Sequence, residues 1–279
     1  MFVNSADVVN KGIEVALTGE WFRPATAKSF GWNTTITYAY NKNTVTSVEN
    51  AATTSYERIQ NPYVEGYPAS ALWSYRFAGI GEYGGEQGKS LWYDENGEAQ
   101  GSVVRNTPDV LEYSGQTDPK HILGLANEFR FYGFRLGITM AYYGGHKMRV
   151  LAHEENSEYQ RQGLIYGTYA SYFLNSWTPE NADSDIPGFG QYGTGSIGSE
   201  ASYSNTSIYD AAFLKIRDIV IGYDFTGAWL RNAHIQRLSL SFQINNPKPL
   251  WKANKVGIDP ETLSVRTPSS YVFGLNITL

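Results

Sequence analysis

Cysteine is absent from the 279 residues, which removes disulfides, thiolate zinc sites and thiol nucleophiles together. Charge is also scarce: Asp, Glu, Lys and Arg make up 18% of the chain, where soluble domains run nearer about a quarter. The 22 basic and 27 acidic residues leave a net charge of −5. No basic run interrupts that balance, so no nucleic-acid partner is expected. No run of about 18 apolar residues exists, in keeping with a mean hydropathy of −0.37, which excludes a membrane-spanning helix. The segment Met1-Phe2-Val3-Asn4-Ser5-Ala6-Asp7 has no charged start and no apolar stretch, so no signal peptide is expected in it. What the chain does have is 15% aromatic residues, 21 tyrosines and 28 glycines. The length is ample for a buried core, but this mixture suits strands whose outer face does not meet water.

Helical periodicity is nearly absent, and strict alternation recurs. In Phe134-Arg135-Leu136-Gly137-Ile138-Thr139-Met140-Ala141-Tyr142 every even position is large and apolar. Period two over such a run is a strand with two unlike faces. The same alternation places Ile13, Val15, Leu17 and Trp21 on one face, and Trp32, Ile36, Tyr38 and Tyr40 on one face. It recurs in Leu123, Leu125, Phe129 and Phe131, and in Ile219, Ile221, Tyr223 and Phe225. Leu238, Leu240, Phe242 and Ile244 follow it, and Tyr271, Phe273, Leu275, Ile277 and Leu279 end the chain in it, with Val272 an exception. These seven segments have roughly the nine to eleven residues of a tilted membrane strand.

Alternation alone leaves two architectures open. In a soluble sandwich the apolar face is the core; in an outer-membrane barrel it meets lipid. Three features favour the barrel. Aromatics gather toward strand ends (Trp21, Trp32, Tyr40, Tyr142, Tyr223, Phe225, Tyr271). Connections alternate between brief (24–29, 132–133, 226–233) and very long (46–121, 146–212). The chain stops on an apolar-alternating strand. The long connections read as turn chemistry rather than regular elements. In them, Asp94-Glu95-Asn96-Gly97 is expected to close a small hairpin after Leu91-Trp92-Tyr93, and Asn181 to Ser207 reads as a surface loop.

At this point the chain resembles a known family. Asp210-Ala211-Ala212-Phe213-Leu214-Lys215-Ile216-Arg217-Asp218-Ile219-Val220-Ile221-Gly222-Tyr223 is similar to the S-(Y/F)-L-R-L-K-N-V-T-L-G-Y strand of SusC/RagA-type TonB-dependent transporters. Trp177-Thr178-Pro179-Glu180-Asn181 resembles that family's R-W-T-P-E-N-P loop, although Ser176 stands where Arg is usual. Asn245-Asn246, then Gly257-Ile258-Asp259-Pro260-Glu261, resemble its N-N and G-x-D-P-E elements. Arg266-Thr267-Pro268-Ser269-Ser270-Tyr271-Val272-Phe273-Gly274-Leu275-Asn276 resembles its final strand. Asn10-Lys11-Gly12-Ile13-Glu14 and Tyr75-Arg76-Phe77-Ala78-Gly79-Ile80 complete six motifs in family order, with Gly81-Glu82 replacing the usual Asp-Pro and Leu279 standing where Phe is common.

The resemblance implies an all-β fold, an antiparallel transmembrane β-barrel of which residues 1–279 form the C-terminal part, with long extracellular loops. Such barrels have about 22 strands around an N-terminal plug. The plug and the N-terminal strands are expected outside this chain, in the same polypeptide or a second one. An open sheet in hydrocarbon leaves backbone groups unpaired, each costing several kcal/mol. The resemblance also implies import of oligosaccharides or peptides across the outer membrane, under a SusD-like lipoprotein lid and driven by TonB–ExbB–ExbD. It puts connections 46–121, 146–212 and 247–268 outside the cell and the C-terminus in the periplasm. Two other classes stay open: a SusC-like scaffold without transport, and a soluble carbohydrate-binding β-sandwich.

Gating needs no covalent chemistry, and no catalytic residue or cofactor is expected: there is no Gly-x-Ser-x-Gly and no phosphate-cradling loop. Asp94, Glu95, Asp183 and Asp185 read as solvated loop carboxylates rather than acid/base pairs. His121, His146, His153 and His234 lack ligand spacing, so no metal is expected. Ligand contact is expected from loop aromatics at the lumen mouth: Trp73, Trp92, Tyr93, Trp177, Phe189 and Tyr192, which could equally pack the loops together. Arg135, Asp218 and Arg237 are expected to face the lumen.

Overall fold

The computed structural model describes residues 6–26, 28–150, 177–184, 202–256, 258–263 and 266–279. The chain divides into two compact units. One comprises Lys11–Lys42, Pro119–His146 and Ala211–Leu279; the other comprises Met1–Asn10, Asn43–Asp118 and Lys147–Asp210.

The first unit is an antiparallel sheet built from the seven expected strands. In chain order these are β1 (Ala6–Phe22), β2 (Gly31–Val48), β8 (His121–Phe131), β9 (Phe134–Gly144), β12 (Phe213–Asp224), β13 (Arg237–Asn245) and β15 (Ser270–Thr278). They neighbour one another in that same order, so every connection joins adjacent strands. A short extra strand, β14 (Trp251–Lys252), pairs with the far end of β12. β1 and β15 lie at the two ends of the sheet, which is open among the described residues. β1 and β2 run to 17 and 18 residues because each also contributes residues to the second unit.

Register explains why the faces stay pure. Leu238, Leu240, Phe242 and Ile244 of β13 stand opposite Ile277, Leu275, Phe273 and Tyr271. On its other side, Ile219, Ile221 and Tyr223 stand opposite Ile244, Phe242 and Leu240. A one-residue slip would turn every one of these side chains to the wrong face. β12 contains such a slip and corrects it. Ile216 pairs with Met140 but Asp218 pairs with Thr139, so Arg217 is the extra residue of a bulge. Before the bulge Leu214 and Ile216 carry the apolar face; after it Ile219, Ile221 and Tyr223 do. Val272 departs from the alternation because it shares the polar face with Gln243.

Among the described residues nothing covers the apolar face: Ile13, Leu17, Phe134, Ile221, Leu240 and Phe273 are all exposed. Aromatic rings crowd both of its edges. Near the brief connections Trp32 contacts Trp21 at 6.0 Å and Phe129 at 5.6 Å, and Tyr223 contacts Phe134 at 4.5 Å and Phe225 at 4.8 Å. Near the long connections His121 lies against Tyr40 at 5.3 Å and Tyr38 at 6.2 Å. An apolar band between two aromatic belts is the lipid-facing pattern of a membrane barrel. Polar groups on this face are paired within it: Asn127 accepts from the Trp32 indole at 3.1 Å and the Thr34 hydroxyl at 2.6 Å, and the Tyr38 hydroxyl lies 2.9 Å from His121 Nδ1.

The tightest connection is the two-residue turn Tyr132-Gly133 between β8 and β9, with φ of 51° and 84°. Both residues are left-handed, as this hairpin turn demands. A Cβ on Gly133 would meet the Asp224 carbonyl oxygen at 2.7 Å. Gly133→Ala is therefore expected to cost about 1–3 kcal/mol, read as a lowered urea midpoint for the protein in lipid vesicles.

The second unit corrects the expectation that the long connections hold only turns. It contains α1 (Ser55–Gln60), β3 (Ala71–Tyr75), β4 (Phe77–Tyr83), β5 (Glu86–Tyr93), β6 (Ala99–Gln100), β7 (Leu111–Gln116), β10 (Lys147–Arg149) and β11 (Ile208–Asp210). Its core is Ala71, Trp73, Tyr75, Trp92, Val110 and Leu111, with Ile59, Val64, Phe77, Val103, Val104 and Tyr203 packed around it. Alternation fails to reveal these strands because bulges reset its phase every few residues, at Leu72/Trp73, Phe77/Gly79 and Gly81/Tyr83. α1 is marked locally instead. Thr54 caps the Glu57 N–H at 3.2 Å, and the Glu57 carboxylate accepts from the Thr54 N–H in return. Hydrogen bonds from Thr53 and Thr54 hold Glu57 below its ordinary carboxylate range.

Candidate functional site

Two groups of charged side chains lie on the polar face of the sheet, along β12. Near the brief connections Asp224 is shared by two cations. Its carboxylate lies 3.3 Å from the Arg135 guanidinium and 3.5 Å from that of Arg237. Alternation places all three on one face: Arg135 stands opposite Gly222, two residues from Asp224, and Ser239, two from Arg237, stands opposite Asp224. These groups are one-third to more than half exposed, so water screens them. Asp224→Asn is expected to cost less than about 1 kcal/mol, with the difference vanishing at high salt in the same unfolding measurement. Asp218 shares the face but not the cluster: it stands between Thr139 and Asn245, beside the bulge.

The second group lies near the long connections. Lys215 is 2% exposed and its ammonium is paired with Glu261, which also pairs with Arg217. The Arg217 guanidinium donates to the Tyr143 hydroxyl at 3.0 Å and stacks over that ring at 5.3 Å. Two cations two residues apart on one strand face call for an anion, and Glu261 reaches them from the connection between β13 and β15. Backbone bonds seat that connection: Leu250 N–H to Leu214, Ala253 N–H to Ala212 and Asn246 N–H to Arg217, at 2.9 Å each. Burial alone would raise the Glu261 carboxyl, but hydrogen bonds from Lys215 and Arg217 outweigh it and hold it below its ordinary value.

The aromatics named from the sequence divide. Trp73 and Trp92 are 7% and 6% exposed and belong to the core of the second unit. The Trp73 indole donates to the Pro62 carbonyl at 2.9 Å, and its ring is enclosed by Tyr67, Tyr113 and the Arg58 guanidinium. Trp92 packs against Tyr75 and Phe77. Trp177 is buried as well. With their faces occupied, Trp73 and Trp92 organise the unit rather than present rings to a ligand. Tyr93 stays 41% exposed, with Arg76 5.9 Å from its ring. Phe189 and Tyr192 lie outside the described residues, as do Asp185 and His153.

Asp94 closes the expected hairpin. Its carboxylate accepts from the N–H groups of Asn96 and Glu98 at 2.9 Å each, and β5 pairs with β6 across the turn. Backbone and Gln100 hydrogen bonds, the largest from Glu98, outweigh burial and hold it below its ordinary range. Arg149, in the same unit, donates to the Trp73 carbonyl and the Ser74 hydroxyl and lies over Tyr203. Burial holds its guanidinium down to about 10, with Tyr203 opposing the shift. Among the described residues no group of three or more His, Asp or Glu converges as metal ligands do.

Asp224, Lys215, Arg217 and Glu261 were not singled out from the sequence. The signal for three of them was the Lys215-x-Arg217 spacing, whose same-face cations need a distant carboxylate.

No protein-family model matches the sequence. The chain is similar to the TonB-dependent receptor P3 of Formosa agariphila, at 20% identity over 92% of this chain and 26% of that protein. Among solved structures it superposes on the RagAB peptide transporter with a TM-score of 0.74 at 19% identity, covering 98% of this chain and 29% of the other. The RagAB peptide importer in its closed-closed state gives a TM-score of 0.70 at 20% identity and 30% of that chain. The chain thus spans less than a third of the proteins it matches. With its open seven-stranded sheet, exposed apolar band and paired aromatic belts, it has the fold of a barrel section of the SusC/RagA-type TonB-dependent outer-membrane transporters.

Proposed function

We propose that this chain is the C-terminal wall of an outer-membrane importer for oligosaccharides or peptides. Its apolar face meets lipid and its polar face, with Arg135, Asp218 and Arg237, lines the lumen. The remaining strands and a plug complete the barrel, a SusD-like lipoprotein covers it, and TonB–ExbB–ExbD supplies the energy. The observation that carries this reading is the apolar face kept continuous across the sheet by register and bulge, with brief connections at one end and long ones at the other. By the length rule of such barrels, the long connections lie outside the cell, and β15 descends to a periplasmic C-terminus. Tyr93 is the ligand contact supported by exposure.

Two measurements test it. A protease site inserted in the connection 246–269 is expected to be cut on intact cells, whereas one appended after Leu279 is not. Uptake of labelled peptides or oligosaccharides by cells making the protein is expected to stop when TonB is removed. A protein that confers no uptake would replace transport with the scaffold role, and uptake that persists without TonB would overturn the TonB-driven step.

A further inference from the structure

We propose that the rim of the apolar face at the long connections binds phosphate groups of lipid headgroups. Lys11 and Lys42 make one contact, and Lys248 and Lys255 beside Trp251 make a second, farther along the sheet. The inference rests on the membrane-spanning reading above and adds a partner to it.

Lys11 continues the series Ile13, Val15, Leu17, and Lys42 continues Ile36, Tyr38, Tyr40, so alternation puts both on the apolar face just beyond the aromatic belt. The two strands are locked by Thr18 and Thr35, whose hydroxyls are 3.1 Å apart, by the Trp21–Trp32 contact, and by the approach of Gly12 to Tyr40 and Asn41. That register sets Lys11 across from Lys42. Like charges facing each other across a strand pair are destabilising, so a pair of this kind is expected to hold an anion. No carboxylate supplies it: both lysines are exposed, and neither has an ion pair or hydrogen bond among the described residues. Other cations of the sheet are paired, Arg23 with Glu20, Arg130 with Glu128, and Arg135 and Arg237 with Asp224.

A second segment has the same chemistry. Trp251 stands opposite Leu214, which shares the apolar face with Tyr142, and is 49% exposed beside exposed Leu250. Exposed Lys248 and Lys255 flank it and are likewise without ion-pair partners among the described residues. An indole at an apolar edge with lysines around it is a headgroup-level arrangement, the lysine stems lying on apolar surface and the ammonium groups above it. The sequence as a whole is acidic, at −5, so four exposed lysines without ion-pair partners among the described residues are a local excess at this rim. A lipid phosphate is the anion that this layer of a membrane supplies.

The test uses the protein as it assembles in its membrane, purified and reconstituted in phosphatidylcholine vesicles. These are doped with a phosphate-bearing glycolipid or with its dephosphorylated counterpart. Lipid retained after detergent exchange is counted by native mass spectrometry. The phosphorylated lipid is expected to be retained at least about tenfold better, with each lysine near the surface contributing about fivefold. Lys11→Gln with Lys42→Gln removes most of that preference, and adding Lys248→Gln and Lys255→Gln removes the rest. Equal retention of the two lipids by the unaltered protein, or an unchanged preference in the fourfold variant, overturns the proposal. Loss of the preference in millimolar inorganic phosphate would assign the site to a free anion and overturn the lipid as its source. A protein that floats with neither vesicle overturns the membrane-spanning reading itself, a result distinguishable from floating without preference.

Discussion

Glu261→Gln is expected to destabilise the sheet unit by about 3 kcal/mol, at the low end of what breaking a buried pair costs. Lys215 is almost wholly enclosed, and Glu261 is its carboxylate partner. Removing that charge leaves a buried ammonium beside the Arg217 guanidinium. The measurement is a urea midpoint in vesicles, together with protease sensitivity of residues 246–269, the segment that Glu261 tethers. Adding Lys215→Met should return most of the loss, because the uncompensated charge disappears and an apolar chain of similar length fills its place. A Glu261→Gln protein within about 0.5 kcal/mol of the parent would mean that the clamp is dispensable. The pH dependence has a definite sign. The folded protein holds the Glu261 carboxyl below its ordinary value, so the clamp's contribution is present above the ordinary carboxylate range and is lost as pH falls through the depressed value. Acid should therefore free the connection.

Ile36→Arg should cost about 2–4 kcal/mol of folding free energy in lipid, the penalty for a cation near the middle of the bilayer. Ile36 lies on the apolar face midway between Trp32 and Tyr40, four residues from each, and is exposed in the chain itself. Thr35→Arg, one residue away on the polar face, should cost far less, since that face meets water or other protein. The comparison tests which face leaves water. If the Ile36 face met water, as its 40% exposure in the chain alone would have it, the Ile-to-Arg change would be close to neutral. Equal effects at the two positions would argue against a lipid-facing wall.

The seven spanning strands were legible because one physical rule governs each: a face in hydrocarbon admits no polar residue without a partner. Asn127 is a local exception, and it is satisfied by Trp32 and Thr34. β12 was legible only in part. Its second half alternates openly, but Leu214 and Ile216 fall on the opposite parity, and nothing in the alternation alone says that a bulge reconciles them. The loop unit was illegible for a related reason, with several bulges in strands of five to eight residues. Trp73 and Trp92 show the limit of reading function from residue type, since a tryptophan in a long connection looks the same whether it stacks on a ligand or forms a core. The Lys215–Glu261 pair spans 46 positions in sequence. No local pattern links its halves, although the paired cations on β12 announce that a partner must exist.

The bulge at Arg217 has an evolutionary consequence. β12 is in effect written in two reading frames, and the extra residue is the frameshift that joins them. Deleting one codon elsewhere between Leu214 and Tyr223, away from the bulge, would leave one half of the strand inverted, with Asp218 and Asp224 or Lys215 and Arg217 turned toward lipid. Removal of Arg217 itself would keep the parity, since Ile216 and Asp218 already pair with successive residues of β9, but it would take one of the two cations from the clamp. By contrast, the segment 225–236, which crosses from β12 to β13 through a short helix (Ala228–Asn232), has no such parity to keep. Lineages of this protein should therefore accumulate length changes in that crossing and hold the length of β12 fixed.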